Sequence, residues 1–105
     1  MTSKTERGDS KNATRLVKVL AHDLRQQIMR LSIDRTSPVS PREASEELPA
    51  VLSNVAYHFR VLAEVNALQL DETRSVRGVT QHFYSPNPSV VEMPMVKEIL
   101  TATAT

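Results

Sequence analysis

The sequence predicts a mainly α-helical domain with one small β-hairpin, flanked by N- and C-terminal helices. Three observations carry that expectation. Before residue 66 the apolar residues recur at helical spacing. After it the period falls to 2. The only glycine outside the first eleven residues, Gly78, lies between the two β-type runs. With 105 residues the chain has room for one domain and not for two.

Residues 1–11 are polar, charged and aperiodic, and are expected to form a flexible N-terminal arm. The first helix starts near Asn12 or Thr14, with Leu16, Val17 and Leu20 at helical spacing and Lys18 opposite. His22 or Asp23 offers an N-cap to a second helix. There Leu24, Ile28 and Leu31 face inward, and Arg25, Gln26 and Arg30 face outward. Turn chemistry from Asp34 to Pro38 stops it. Ser40-Pro41-Arg42-Glu43 then reads as a capping box. Ser40 caps, Pro41 occupies the first helical position, and Glu43 reaches back to the Ser40 amide. Ala44 and Leu48 give this short helix its apolar face, and Pro49 ends it.

The fourth helix spans 52–65. Leu52, Val55, Phe59 and Leu62 share one face, with Ala56 and Ala63 beside them, and Ser53, Asn54, Tyr57, Arg60 and Glu64 lie outside. Asn66 suits the left-handed turn that ends a helix. Leu68 and Leu70 alternate with Gln69 and Asp71, and Gln81-His82-Phe83-Tyr84 forms the second β-type run. The intervening segment, 73–78, is longer than a tight turn needs and should project as a loop. In the tail, 86–105, Ser89 caps a last helix through Leu100 with Val91, Met95, Ile99 and Leu100 apolar. Pro94 imposes a kink or a late start, and Thr101 to Thr105 should fray.

Composition excludes several functions. The chain has no cysteine, which removes disulfides, thiolate metal sites and cysteine nucleophiles together. No run approaches the roughly 18 apolar residues that span a bilayer. The polar start, without an apolar core, does not read as a secretory signal, so a cytoplasmic location without membrane partners is expected. Charge is unevenly placed. Residues 1–35 carry a net of +4, residues 36–72 a net of −4, and the whole chain only +1. A nucleic-acid surface must therefore be a local patch. Nothing points to an enzyme: a glycine-rich phosphate loop and a metal cluster are missing, and His22-Asp23 with a nearby serine has neither the order nor the spacing of a triad.

Helix, helix, short capped helix, longer helix and hairpin make a helix-turn-helix followed by a β-wing. Leu20-Ala21-His22-Asp23-Leu24-Arg25 with Ile28, Pro41-Arg42-Glu43-Ala44, and the run from Leu52 to Leu62 resemble the ArsR-type winged-helix transcriptional regulators. Arg77-Gly78 with His82-Phe83-Tyr84 resembles that family's wing. The likeness covers about residues 14–85, most specifically in the fourth helix. Asp23 and Asn66 stand where the family often has Pro and Gly, and both fit as caps. The resemblance implies DNA binding. It gives no support to metal sensing, since His22, His58 and His82 lie 36 and 24 residues apart, and no cofactor is expected.

In such a fold the outer face of helix 52–65 enters the major groove, which assigns Ser53, Asn54 and Tyr57 to base edges and Arg60 to a phosphate. Asn54 can pair with adenine, and Tyr57 can touch a thymine methyl or a phosphate. Arg74 and Arg77 on the 73–78 wing are placed for a narrow minor groove or the backbone. The amides near Arg42 can hold a phosphate. Each assignment has a plainer competitor: Ser53 and Asn54 as helix-start residues, Tyr57 as a half-buried aromatic, Arg74 and Arg77 as solvated charges. His58 reads as a satisfied boundary histidine, His82 as a sheet-face residue, and Glu46-Glu47 as a solvated face.

A body of about 70 residues buries a modest core. The apolar stripes of the two terminal helices, Leu16, Val17 and Leu20 with Val91, Met95 and Ile99, are therefore expected to pair in a two-fold dimer. The expected partner is double-stranded DNA carrying an inverted repeat, with an unidentified effector or partner protein relieving repression. The alternative reading is a winged-helix protein-interaction module that docks through its wing or its acidic middle segment.

Overall fold

The computed structural model describes residues 13–102. The expected arm over 1–11, Asn12 as a helix start, and the frayed end beyond 102 lie outside the described residues. Helix α1 covers 13–20, α2 Asp23–Asp34, α3 Pro41–Glu47 and α4 Leu52–Glu64. Strands β1 (Leu68–Val76) and β2 (Val79–Pro86) form an antiparallel hairpin, and α5 (Pro88–Val91) and α6 (Pro94–Ala102) follow. This is a winged helix-turn-helix. No helix among the described residues is long and apolar enough to cross a membrane.

Helix boundaries follow local chemistry. The His22 ring caps α2 by accepting from the Leu24 amide through Nδ1. Ser40 and Glu43 form both halves of the capping box at α3. Asn66 ends the α4 segment with φ of 62°. Asn87, not Ser89, caps α5 by accepting from the Ser89 amide, and Pro94 opens a separate helix instead of kinking a single one.

Phe59, Leu62 and Val55 of α4 lie fully buried with Leu20, Ile28, Met29, Val39, Leu68 and Val96. Each helix thus sends an apolar stripe into one shared cluster. The hairpin reaches that core only at its base, through Leu68 and Tyr84; Phe83 is buried outside it, under the Arg74 guanidinium, and Leu70 is left 54% exposed. A bulge between Leu70 and Glu72 shifts the register.

A second connection holds the hairpin. The Val39 amide donates to the Tyr84 carbonyl and the Tyr84 amide to the Val39 carbonyl, both at 2.9 Å. The next residue, Ser40, donates its hydroxyl to Gln81 Oε1 at 2.8 Å. Arg35, at the end of α2, forms ion pairs with Glu43 and Glu47 of α3.

Several expectations are corrected here. Leu52 is not a core residue; it is 37% exposed at the start of α4. Gln26 is buried, not outward, because its amide donates to the Leu20 carbonyl at 2.7 Å and completes the α1–α2 corner. Arg25 is half-buried against α4, and Arg30 donates to the Leu100 carbonyl of α6. Segment 73–78 is not a long loop. β1 runs to Val76, and Arg77-Gly78 is a tight turn with φ of 54° and 79°, the two positive values that a two-residue hairpin turn requires. Glu47 is ion-paired rather than merely solvated.

The terminal helices are also less available than expected. Leu16 and Leu20 are buried within the single chain, because α1 packs Leu16, Val19 and Leu20 into the core. In α5 and α6 the inward residues are Val90, Val96 and Leu100. Val17 stays exposed, and Val91, Met95 and Ile99 are half-buried.

Ser40 acts at both the helix cap and the hairpin. Replacing it with Ala removes the acceptor for the Glu43 amide and the donor to Gln81. Ser40→Ala is expected to cost about 1–2 kcal/mol in urea unfolding at unchanged m-value. A loss under about 0.3 kcal/mol, the level of an ordinary surface substitution, would show that the junction is not held by this side chain.

Candidate nucleic-acid interface

The site is built on α4. Its inner face is fixed by Val55, Phe59 and Leu62, which leaves Ser53, Asn54, Tyr57 and Arg60 together on the exposed face. Tyr57 is 50% exposed. The first turn of α4 holds no acidic residue, and the helix has none before Glu64. All four residues expected to read DNA in this helix therefore share one outward surface.

The arginines divide into two kinds. Arg77 sits at the hairpin turn and is exposed, as is Arg42 on the first turn of α3. Neither forms an ion pair among the described residues. Arg74 was expected on a projecting loop, but it belongs to β1 opposite Gln81. Its guanidinium lies 3.8 Å from the Phe83 ring centroid, and its Nε is 3.1 Å from a Glu72 carboxylate oxygen. The charge is thus fixed in direction and partly compensated. Arg42, Arg74 and Arg77 line one open groove between α3 and the hairpin, with Glu43 and Glu46 in the same wall. The α3 amides are less free than their sequence position suggests, because that of Glu43 is taken by Ser40 Oγ.

A shallow depression of about 200 Å³ joins the parts. It is lined by Ser40, Pro41 and Arg42 of the α3 start, Leu52 and Ala56 of α4, and the β2 residues from Val79 to His82. The start of α3, the first turns of α4 and the wing therefore open onto one continuous side of the molecule.

Behind the exposed face is a cluster that residue spacing conceals. His58 is buried, and its Nδ1 accepts from Arg25 Nε at 3.0 Å. The His22 ring lies with its centroid 4.4 Å from that of His58, although the two are 36 residues apart in sequence. Tyr57 meets the same ring edge-on at 5.0 Å. Arg25 also donates to the Val19 carbonyl. This cluster clamps α4 onto the α1–α2 corner. The sequence signal was present in the helical phase of Arg25 relative to Ile28, but a charged side chain is ordinarily read as outward. His82 stands on the exposed hairpin beside Thr73.

Burial lowers the His58 pKa below its ordinary 6.5, and the positive charges available to His22 and on Arg25 act in the same direction. Folding thus disfavours the protonated ring, and the unfolded chain takes up the proton more readily. Stability is therefore complete above about pH 6.5 and declines as pH falls through the lower folded-state pKa.

No protein-family model matches the chain, and no curated protein sequence matches it. Solved structures do share its fold. Reduced HlyU from Vibrio cholerae N16961 superposes with a TM-score of 0.68 at 21% identity, over 100% of both chains. The transcriptional regulator HlyU from Vibrio vulnificus CMCP6 gives 0.64 at 21% identity, over 99% of this chain and 100% of that one. A further HlyU structure from V. cholerae gives 0.68 at 23%, over 92% and 97%. Likeness at this level of identity is a likeness of fold.

The clamp predicts a pH signature. His58→Gln keeps an acceptor for Arg25 and removes the titration. Relative to that variant, the wild type should lose stability progressively below about pH 6.5. Parallel stability–pH curves for the two proteins would refute a titrating His58.

Proposed function

We propose that this chain is a sequence-specific, double-stranded DNA-binding transcriptional regulator that acts as a homodimeric repressor. One observation carries the reading. The exposed face of α4 gathers Ser53, Asn54, Tyr57 and Arg60 without a carboxylate before Glu64, and the adjoining Leu52 and Ala56 of the same helix line a depression with Arg42 and the wing. The shared fold with a transcriptional regulator from V. vulnificus supports it.

In this reading residues 12–85 bind DNA. Asn54, Ser53 and Tyr57 face base edges in the major groove, Arg60 and Arg42 meet phosphates, and Arg77 at the wing turn approaches the minor groove or the backbone. Arg74 supports the wing's positive surface from its stacked position on Phe83. Residues 86–105 contribute with α1 to a two-fold interface through Val17, Val91, Met95 and Ile99. A dimer would set two α4 helices about 34–36 Å apart, on an inverted repeat. An effector or partner protein would relieve repression.

Glu43 and Glu46 in the wing groove favour a second reading, a protein-interaction module that receives a basic partner there. Salt separates the two, because phosphate contacts give a steep loss of DNA affinity as salt rises.

Selection of bound duplexes from a random library should enrich an inverted repeat that an Asn54→Ala, Arg77→Ala double variant no longer enriches. Loss of the Asn54 contact alone is expected to cost about 1–3 kcal/mol of discrimination. Absence of enrichment, with weak binding that vanishes in salt, would favour the interaction module. Placing the selected repeat over a promoter should lower reporter expression when the protein is present, and a rise would make it an activator. Because Leu16 is core, Val17→Asp is the cleaner probe of assembly. It should reduce both the sedimenting mass and DNA affinity while leaving the monomer folded, and unchanged mass would reject this interface.

A further inference from the structure

The first turn of α4 is built against the usual rules. Val51 occupies its N-cap, where Ser, Thr, Asp or Asn would bond a free amide, and it makes no side-chain cap bond. It is 65% exposed, and the next residue, Leu52, is 37% exposed. An amphipathic helix would bury Leu52 with Val55 and Phe59; here it turns instead toward the depression between α3 and the wing. Two branched aliphatic side chains thus stand in solvent beside Ser53 and Asn54, at the point where the fold gains least from them. Arg42 lines the same depression, Arg60 lies farther along the α4 face, and α4 itself carries no carboxylate before Glu64, although Glu43 and Glu46 of α3 stand beside Arg42 in the adjoining groove. An exposed aliphatic pair directly before a hydroxyl and an amide side chain suits the major groove, whose main apolar feature is the C5-methyl group of thymine.

We infer that Val51 and Leu52 are specificity-determining residues that read thymine methyl groups next to the base contacted by Asn54. The inference rests on the DNA-binding reading above and narrows it: the half-site contains A·T pairs whose thymines point their methyls at the start of α4. Asn54 supplies the complementary half of the recognition, since an amide side chain can both donate to and accept from adenine. Thymine, not 5-methylcytosine, is the source of the methyl, because adenine recognition by Asn54 calls for A·T pairs.

The test uses the full chain and the repeat it selects. Replacing the half-site thymines by deoxyuridine removes only the methyls. Each methyl buried against Val51 or Leu52 is expected to contribute about a four-fold change in affinity. A Val51→Ala, Leu52→Ala variant should bind the thymine and deoxyuridine duplexes alike, and an unchanged circular dichroism spectrum and melting profile would confirm that it is folded. Equal wild-type affinity for both duplexes overturns the inference while leaving DNA binding intact. So does a selected half-site of G·C pairs only, or enrichment that requires a CpG-methylated library. If no duplex is enriched at all, the DNA-binding reading fails, and this inference fails with it.

Discussion

Two hydrogen bonds between Val39 and Tyr84 hold the geometry on which the rest of the structure depends. A two-stranded hairpin alone is marginal in water, and this one buries only the residues at its base. The bridge makes Val39 a single-residue third strand. Ser40 then begins α3 and bonds Gln81 of β2, so two successive residues tie the wing to the helix-turn-helix. The Tyr84 ring lies 5.4 Å from Phe59, which carries the same connection into α4. The spatial relation between Asn54 and Arg77 is therefore set by backbone pairing and core aromatics, rather than by mobile side chains.

Electrostatics follow from that frame. The middle segment is acidic, yet much of its negative charge is spent internally. Glu43 and Glu47 pair with Arg35, and Glu72 pairs with Arg74. These pairs are partly exposed and contribute little stability. Their larger consequence is the pattern they leave: Arg60 on α4, Arg42 at the start of α3 and Arg77 at the wing turn are in no ion pair among the described residues. The groove between α3 and the hairpin nonetheless carries both signs, Arg42, Arg74 and Arg77 with Glu43 and Glu46, in a chain whose net charge is only +1.

Element type and order were legible in the sequence because the signals were local. The capping box at Ser40 and Glu43, the left-handed Asn66 and the shift of period at Leu68 each depend on neighbours a few residues away. What the sequence did not disclose depends on tertiary contact. Gln26 and Arg25 are polar and read as outward, but each finds an acceptor, the Leu20 carbonyl and His58 respectively, that only the folded α1–α2 corner and α4 supply. Leu16 and Leu20 looked unpartnered because the core that covers them is assembled from residues as distant as Val96 and Leu100. The wing turn departs from its sequence expectation for another reason. Gly78 has the positive φ that its position predicts, but Arg77 takes the same conformation, which shortens the loop to two residues and moves Arg74 into a strand.

The division of labour in α4 explains why its outward chemistry is informative. Stability comes from the back of the helix, where Val55, Phe59 and Leu62 are buried and Arg25 holds His58. An uncapped start costs about 1 kcal/mol relative to Ser or Asp, and burial of three large apolar side chains, at about 1.5–3 kcal/mol each, readily offsets it. Folding therefore places little demand on Val51, Leu52, Ser53 and Asn54, and on Tyr57 only through its edge contact with His58. Residues whose identity the core does not dictate are free to be chosen by what they touch. Here they leave two aliphatic side chains, two hydroxyls and one amide exposed on the first two turns of the helix, a mixed apolar and hydrogen-bonding surface that the core does not require.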